Sequence, residues 1–124
     1  MKQPEIFESS LLKITLQEND EQINVKWNGK SVDRDPSTFL TPILLNVLES
    51  STRDEKAIEL DFRELEYLNS STITPIIKIL ERAKRGNNYL TIIYKKSLKW
   101  QDLSFSALEI FQTQDGRVAI KGLD

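Results

Sequence analysis

The chain has 124 residues, 39% hydrophobic and 29% charged, with Lys+Arg 17 against Asp+Glu 19 and a formal net charge of −2. It contains no Cys and no His, which excludes disulfides, Cys- or His-based zinc and haem sites, thiol nucleophiles and Ser-His-Asp triads. A slightly acidic balance also argues against broad nucleic-acid binding, which needs a basic footprint.

The whole of 1–124 reads as one domain, with 1–11 as a loose start carrying Pro4 and the polar Glu8, Ser9 and Ser10. Leu12, Ile14 and Leu16 alternate with Lys13, Thr15 and Gln17, the period of a half-buried strand. Asn19-Asp20-Glu21 is turn-like, and Ile23, Val25 and Trp27 alternate again. These two runs predict an antiparallel hairpin ended by Asn28-Gly29. Asp35-Pro36 has the chemistry of a helix start, and Leu40, Ile43, Leu44, Val47 and Leu48 follow at helical spacing. Pro42 cannot donate an interior helix bond, so the helix either kinks there or begins at Thr41-Pro42.

Ala57–Phe62 gives the next strand. Ser70-Ser71-Thr72 then leads into a helical stripe of Ile73, Ile76, Ile77, Leu80 and Ala83, closed by Gly86. Because of Pro75, this helix begins at Ser71 or slips to Thr74. Tyr89–Tyr94 is β-branched and aromatic, as a buried strand requires. Trp100, Leu103, Ala107, Leu108 and Phe111 form a third helical face, and Arg117–Ile120 a last strand. Trp27 and Trp100 fall on apolar faces and are expected in the core.

The order β-β-α-β-α-β-α-β predicts an α/β fold with a mixed, mostly parallel sheet and right-handed crossovers. The strand ends at Trp27, Leu68 and Tyr94 then share one rim, where ligands and partners sit in open α/β sheets. No apolar run approaches the ~20 residues needed to span a bilayer. Met1–Glu5 lacks the apolar stretch of a signal peptide, so a cytoplasmic location with no membrane partner is expected.

The run Glu59-Leu60-Asp61-Phe62-Arg63-Glu64-Leu65-Glu66-Tyr67-Leu68-Asn69-Ser70-Ser71 resembles the signature of STAS domains, the family of bacterial anti-sigma-factor antagonists. The resemblance covers roughly residues 12 to 123. Tyr67-Leu68-Asn69-Ser70 is more similar still to the SiaC-type regulatory phosphoproteins, as is the stretch from Gly29-Lys30-Ser31 to Pro36. It implies a STAS-like fold and a partner switch without catalysis or cofactor. A serine/threonine kinase modifies the first hydroxyl of the turn, Ser70, and a PP2C-type phosphatase reverses it. The unmodified form binds a target, an anti-sigma factor in one group and a diguanylate cyclase in the other. Two positions depart from the anti-sigma antagonists: their Asp before the phosphosite is Asn69 here, and their Gly after the second Ser is Thr72.

Taken without the resemblance, Ser70 is a helix N-cap, a role worth ~1 kcal/mol. The two readings are compatible, because an exposed cap hydroxyl is within reach of a kinase. Asn69, Ser71 and Thr72 complete the expected partner-binding turn, Arg34, Lys95 and Lys96 lie on the same rim, and Lys78 and Arg82 extend the surface along the helix. Asp61, Glu64 and Glu66 are the best carboxylate cluster, with Asp61 and Glu64 flanking a strand end. No base, nucleophile or Gly-rich phosphate loop accompanies them, so they read as turn and surface acids and no metal site is expected. Competing readings are a phosphorylation-independent scaffold and a STAS domain that senses a small ligand at the rim.

Overall fold

A computed structural model describes residues 3–124. Its elements are β1 (Glu5–Ser9), β2 (Leu12–Glu18), β3 (Gln22–Ser31), α1 (Pro36–Asp54), β4 (Ala57–Leu68), α2 (Ser70–Arg85), β5 (Leu90–Lys95), α3 (Lys99–Ser106), a 3-10 turn (Ala107–Phe111) and β6 (Val118–Leu123). The strands form one six-stranded sheet in sequential order. β1, β2 and β3 pair antiparallel, and β3 to β6 pair parallel. Three right-handed crossovers advancing in one direction put all three helices on the same face of the sheet.

That face holds the core. Leu12, Ile14, Leu16, Ile23, Val25, Trp27, Ile58, Leu60, Phe62, Leu90, Ile92, Tyr94, Val118 and Ile120 alternate into it from the strands. Leu40, Leu44, Val47, Ile76, Ile79 and Leu80 meet them from the helices. Trp27 stacks tilted on Phe62 at 4.7 Å between centroids, and Phe62 on Phe105 at 4.6 Å. Trp100 packs at the edge of the same cluster. The opposite face of the sheet is polar: Asn24 donates to Glu59 at 2.7 Å, and Arg63 grips Asp61 through two side-chain hydrogen bonds of 3.0 and 2.9 Å.

Several expectations change. Residues 5–9 are an edge strand rather than a loose start, with Phe7 paired to Ile14 and packed against the core. Asn28-Gly29 does not end a hairpin. β3 runs on to Ser31, with register shifts on either side of Asn28-Gly29 in its pairing to β4. Gly29 has φ 98°, and a Cβ there would sit 2.1 Å from the Leu11 carbonyl oxygen. α1 starts at Pro36 and continues unbroken through exposed Pro42. α2 starts at Ser70 and tolerates Pro75 within it. Leu103, placed on an apolar face by spacing, is instead exposed, while Gln101 is fully buried.

β4 is the longest strand, 12 residues. Its pairing with β5 covers only Ile58–Asp61, while its pairing with β3 continues to Leu68. The Gln101 amide takes over where the β5 ladder stops, donating to the carbonyls of Phe62 and Leu65 at 2.7 and 2.9 Å. Its Oε1 accepts from the Lys95 N–H at 2.7 Å. These bonds satisfy backbone groups that would otherwise be buried without partners. They also carry β4 past β5, so that the β4–α2 turn stands at the rim. At the other end of α2, Arg117 caps the last carbonyls, donating to Ala83 at 2.6 Å and Lys84 at 2.9 Å.

Candidate functional site

The β4–α2 turn is built around Asn69. This residue is the N-cap of α2, extended at φ −85° and ψ 168°, and its side-chain oxygen accepts from the Thr72 N–H at 3.1 Å. The same oxygen accepts from the Thr72 hydroxyl at 2.7 Å. The Asn69 Nδ2 donates to the Asp33 carbonyl at 2.8 Å, and its backbone N–H to the Ser31 carbonyl at 3.0 Å. With its proton committed to Asn69, the Thr72 hydroxyl accepts from Ser31 Oγ at 2.7 Å. The β3–α1 loop is held in turn by the β1–β2 turn: Ser9 and Ser10 donate to the two carboxylate oxygens of Asp33 at 2.9 and 2.7 Å. These two hydroxyl bonds hold the Asp33 carboxyl below the usual carboxylate range.

Ser70 is therefore the first residue of α2 and not its cap. Both Ser70 and Ser71 are exposed. As the first two helical residues, their backbone N–H groups have no acceptor within the helix. Thr72 is fully buried and bonded on both sides, which corrects its expected place on a partner surface: it holds Asn69 rather than meeting solvent. Asn69 is half-buried, and Arg34 is exposed one residue beyond Asp33. Lys95, the last residue of β5, and Lys96 just after it are both exposed. Lys78 and Arg82 are exposed on the outer side of α2, one turn apart.

The carboxylates do not gather. Asp61 and Glu64 lie within β4 rather than at its end. Burial pushes the Asp61 carboxyl up, but the side-chain and backbone hydrogen bonds from Arg63, with Lys26 nearby, outweigh it and leave it lowered. Glu64 and Glu66 are exposed, and no group of acids among the described residues is arranged to hold a metal ion. No helix of the described residues is long and apolar enough to cross a membrane. Asp33 and Ser31 brace the turn from another loop and strand; the sequence marks their stretch only by its resemblance to the SiaC-type proteins, and no local pattern assigns them to the site.

The sheet order, the one-sided helices and the capped rim turn define the class: a STAS-like fold of the anti-sigma-factor-antagonist type. An anti-sigma factor antagonist from Mycobacterium paratuberculosis matches with a TM-score of 0.61 at 14% identity, over 86% of this chain and 90% of that one. An uncharacterized protein with a SpoIIAA-like fold from Shewanella loihica matches with a TM-score of 0.57 at 16% identity, over 95% and 91%. No curated protein sequence matches the chain. The model of the SiaC family regulatory phosphoproteins matches residues 10–100. The chain belongs to the SiaC family, and its role is that of a regulatory protein.

Proposed function

We propose that this protein is the switch component of a bacterial cytoplasmic partner-switching pathway, set by phosphorylation of Ser70 and without catalytic activity of its own. A serine/threonine kinase transfers the γ-phosphoryl of ATP to Ser70 Oγ, the hydroxyl proton is lost and ADP leaves. A PP2C-type phosphatase hydrolyses the ester. The unmodified form binds the target, which is an anti-sigma factor or a diguanylate cyclase, and the phosphoform does not.

The observation that carries this reading is the contrast within the turn. Ser70 is exposed at the first position of α2, while Thr72 two residues on is sealed and Asn69 already supplies the cap. The Ser70 hydroxyl is thus free of the capping duty that would otherwise explain a serine there. A phosphate on it adds about −1.5 to −2 charges beside the free N–H groups and positive dipole end of α2, so the folded domain tolerates it. A target packed flat against the turn, with Asn69, Ser71 and Arg34 in its footprint, must desolvate that charge. Leaving it unpaired costs several kcal/mol, and ~3 kcal/mol is more than a hundredfold in affinity. The test is site mapping by mass spectrometry of protein recovered from its host and after reaction with the cognate kinase. Phosphate on Ser70 is the expected result; phosphate mainly on Ser71, or none, overturns the assignment.

A further inference from the structure

We infer that the groove between α1 and α2, whose α2 wall runs on from the rim turn, docks an acidic amphipathic helix of a partner protein. Two depressions line the outer seam of the helix pair. One, of about 140 Å³, is floored by Leu44, Leu45, Pro75 and Ile79. The other, of about 380 Å³, continues past Leu45 and Leu48 toward Arg53. They share Leu45 and Arg82, so they form one channel. Leu45 and Leu48 are only half-buried, which leaves apolar surface in the channel for a partner to cover.

The charge on the rim selects the partner. Lys78 and Arg82 stand one turn apart on the α2 side, exposed, and neither side chain has a hydrogen bond or ion pair among the described residues. Their chain carries a net charge of −2, so acids are abundant, yet none pairs with them. On the α1 side, Arg53 is bound to its neighbour Asp54 at 3.2 Å, and Glu49 is the one acid lining the channel. An apolar floor with two unpaired cations along one wall complements a helix bearing an apolar stripe at i, i+4 and i+7 and acids beside it. The α1 stretch Thr41–Arg53 that lines the channel is ~18 Å long at 1.5 Å per residue, which sets the docked helix at roughly three turns.

The test uses the full chain, isotope-labelled, and three synthetic peptides of about 14 residues with one shared leucine stripe. One is flanked by Glu, one by Lys, and one is a scramble of the Glu peptide. The Glu peptide is expected to bind at least about tenfold tighter than the other two, more weakly at high salt. Its resonance shifts should centre on Leu44, Leu45, Leu48 and Ile79. The Lys78→Glu/Arg82→Glu chain, with melting unchanged, should lose about tenfold for the Glu peptide and gain for the Lys peptide. Ser70→Asp should bind the Glu peptide as the parent does, so failure of the Ser70 switch leaves the groove standing. Equal binding of all three peptides, shifts outside the channel, or loss of binding in Ser70→Asp overturns the inference. Two further results also overturn it: a dimer in sedimentation dissolved by the charge reversal, which assigns the groove to a second copy, or binding to phosphatidylserine vesicles abolished by it, which assigns it to a membrane.

Discussion

Asn69 donates its side-chain N–H to the carbonyl of Asp33 at 2.8 Å. An aspartate at that position has no proton to offer, and its carboxylate would face a carbonyl oxygen. The Asn found here in place of the Asp of anti-sigma antagonists therefore adds a bond to the β3–α1 connection that an aspartate could not make. Asn69→Asp keeps the acceptor for the Thr72 N–H and gains from the helix dipole, while losing the bond to Asp33. A loss of ~1 kcal/mol is expected. Asn69→Ala loses cap and strut together and should cost ~2 kcal/mol. Denaturant unfolding of the two variants checks the ranking, and an Ala variant as stable as the Asp one contradicts it.

Thr72→Val tests the interior of the same network. The shape is conserved, but the buried Ser31 hydroxyl loses its acceptor and the half-buried Asn69 Oδ1 loses one of two donors. The expected destabilisation is ~1–3 kcal/mol, the range for a buried group left unpaired. Pairing it with Ser31→Ala removes the orphan and should recover part of the loss. A double variant no better than the single one would mean that the Ser31–Thr72 contact contributes nothing.

Gly29→Ala should be among the most damaging single changes in the chain. The residue has φ 98°, and the new Cβ would lie 2.1 Å from a backbone oxygen, not a movable side chain. The Lys30 N–H also bonds to that same Leu11 carbonyl at 3.0 Å, so the β1–β2 turn and β3 must separate together. A loss of at least ~2 kcal/mol is expected, read as a fall in melting temperature.

What the sequence discloses and what it hides divides along the reach of the interactions. Residues 12–27 declare their strands because alternation is a local pattern, and the α2 stripe from Ile73 to Ala83 declares its helix for the same reason. β1 is hidden because an edge strand needs only one buried anchor, and Phe7 supplies it amid Glu5, Glu8 and exposed Ile6. The extension of β4 to Leu68 is hidden because Arg63 and Glu64 interrupt the apolar rhythm at a register shift. At the site, Ser70 stands out by the resemblance of its turn. The sequence points to Ser70 as the cap, and the structure gives that position to Asn69, because both residue types fill it well and only the Asp33 and Thr72 contacts select Asn69. Burial of Thr72 depends on Ser31, some forty residues away in sequence, and no spacing rule could announce it.

Acid should weaken the rim through Asp33 and the sheet face through Asp61, whose carboxyls are both held below the ordinary value. A carboxyl with a depressed folded pKa binds its proton more readily in the unfolded chain. Its contribution is therefore fully present above the ordinary carboxylate value of ~3.9 and is lost as pH falls through the lowered folded value. Melting temperature should hold from neutral pH down to about pH 5 and drop below about pH 4. Asp33→Asn should flatten part of that drop; an unchanged acid profile would show that the Ser9 and Ser10 bonds do not favour the charged form.

The last expectation concerns Ser70 itself. Because Asn69 caps α2, Ser70→Ala removes no cap bond, and its effect on stability should stay within ~0.5 kcal/mol. Ser70→Asp puts a negative charge beside free helix N–H groups, which is neutral or stabilising by up to ~1 kcal/mol. Neither change should therefore move the melting curve far, whereas an N-cap serine would have shown a clear loss with Ala. At the target interface the two separate. Ala leaves nothing charged to desolvate and should bind as the parent does. Asp brings a carboxylate against a surface shaped for a neutral hydroxyl and should weaken binding, less than phosphate does because it carries less charge. Calorimetric titration of both variants and of stoichiometrically phosphorylated protein against the target distinguishes these outcomes. Equal affinities for all three would leave Ser70 an exposed first-turn serine with no part in the switch.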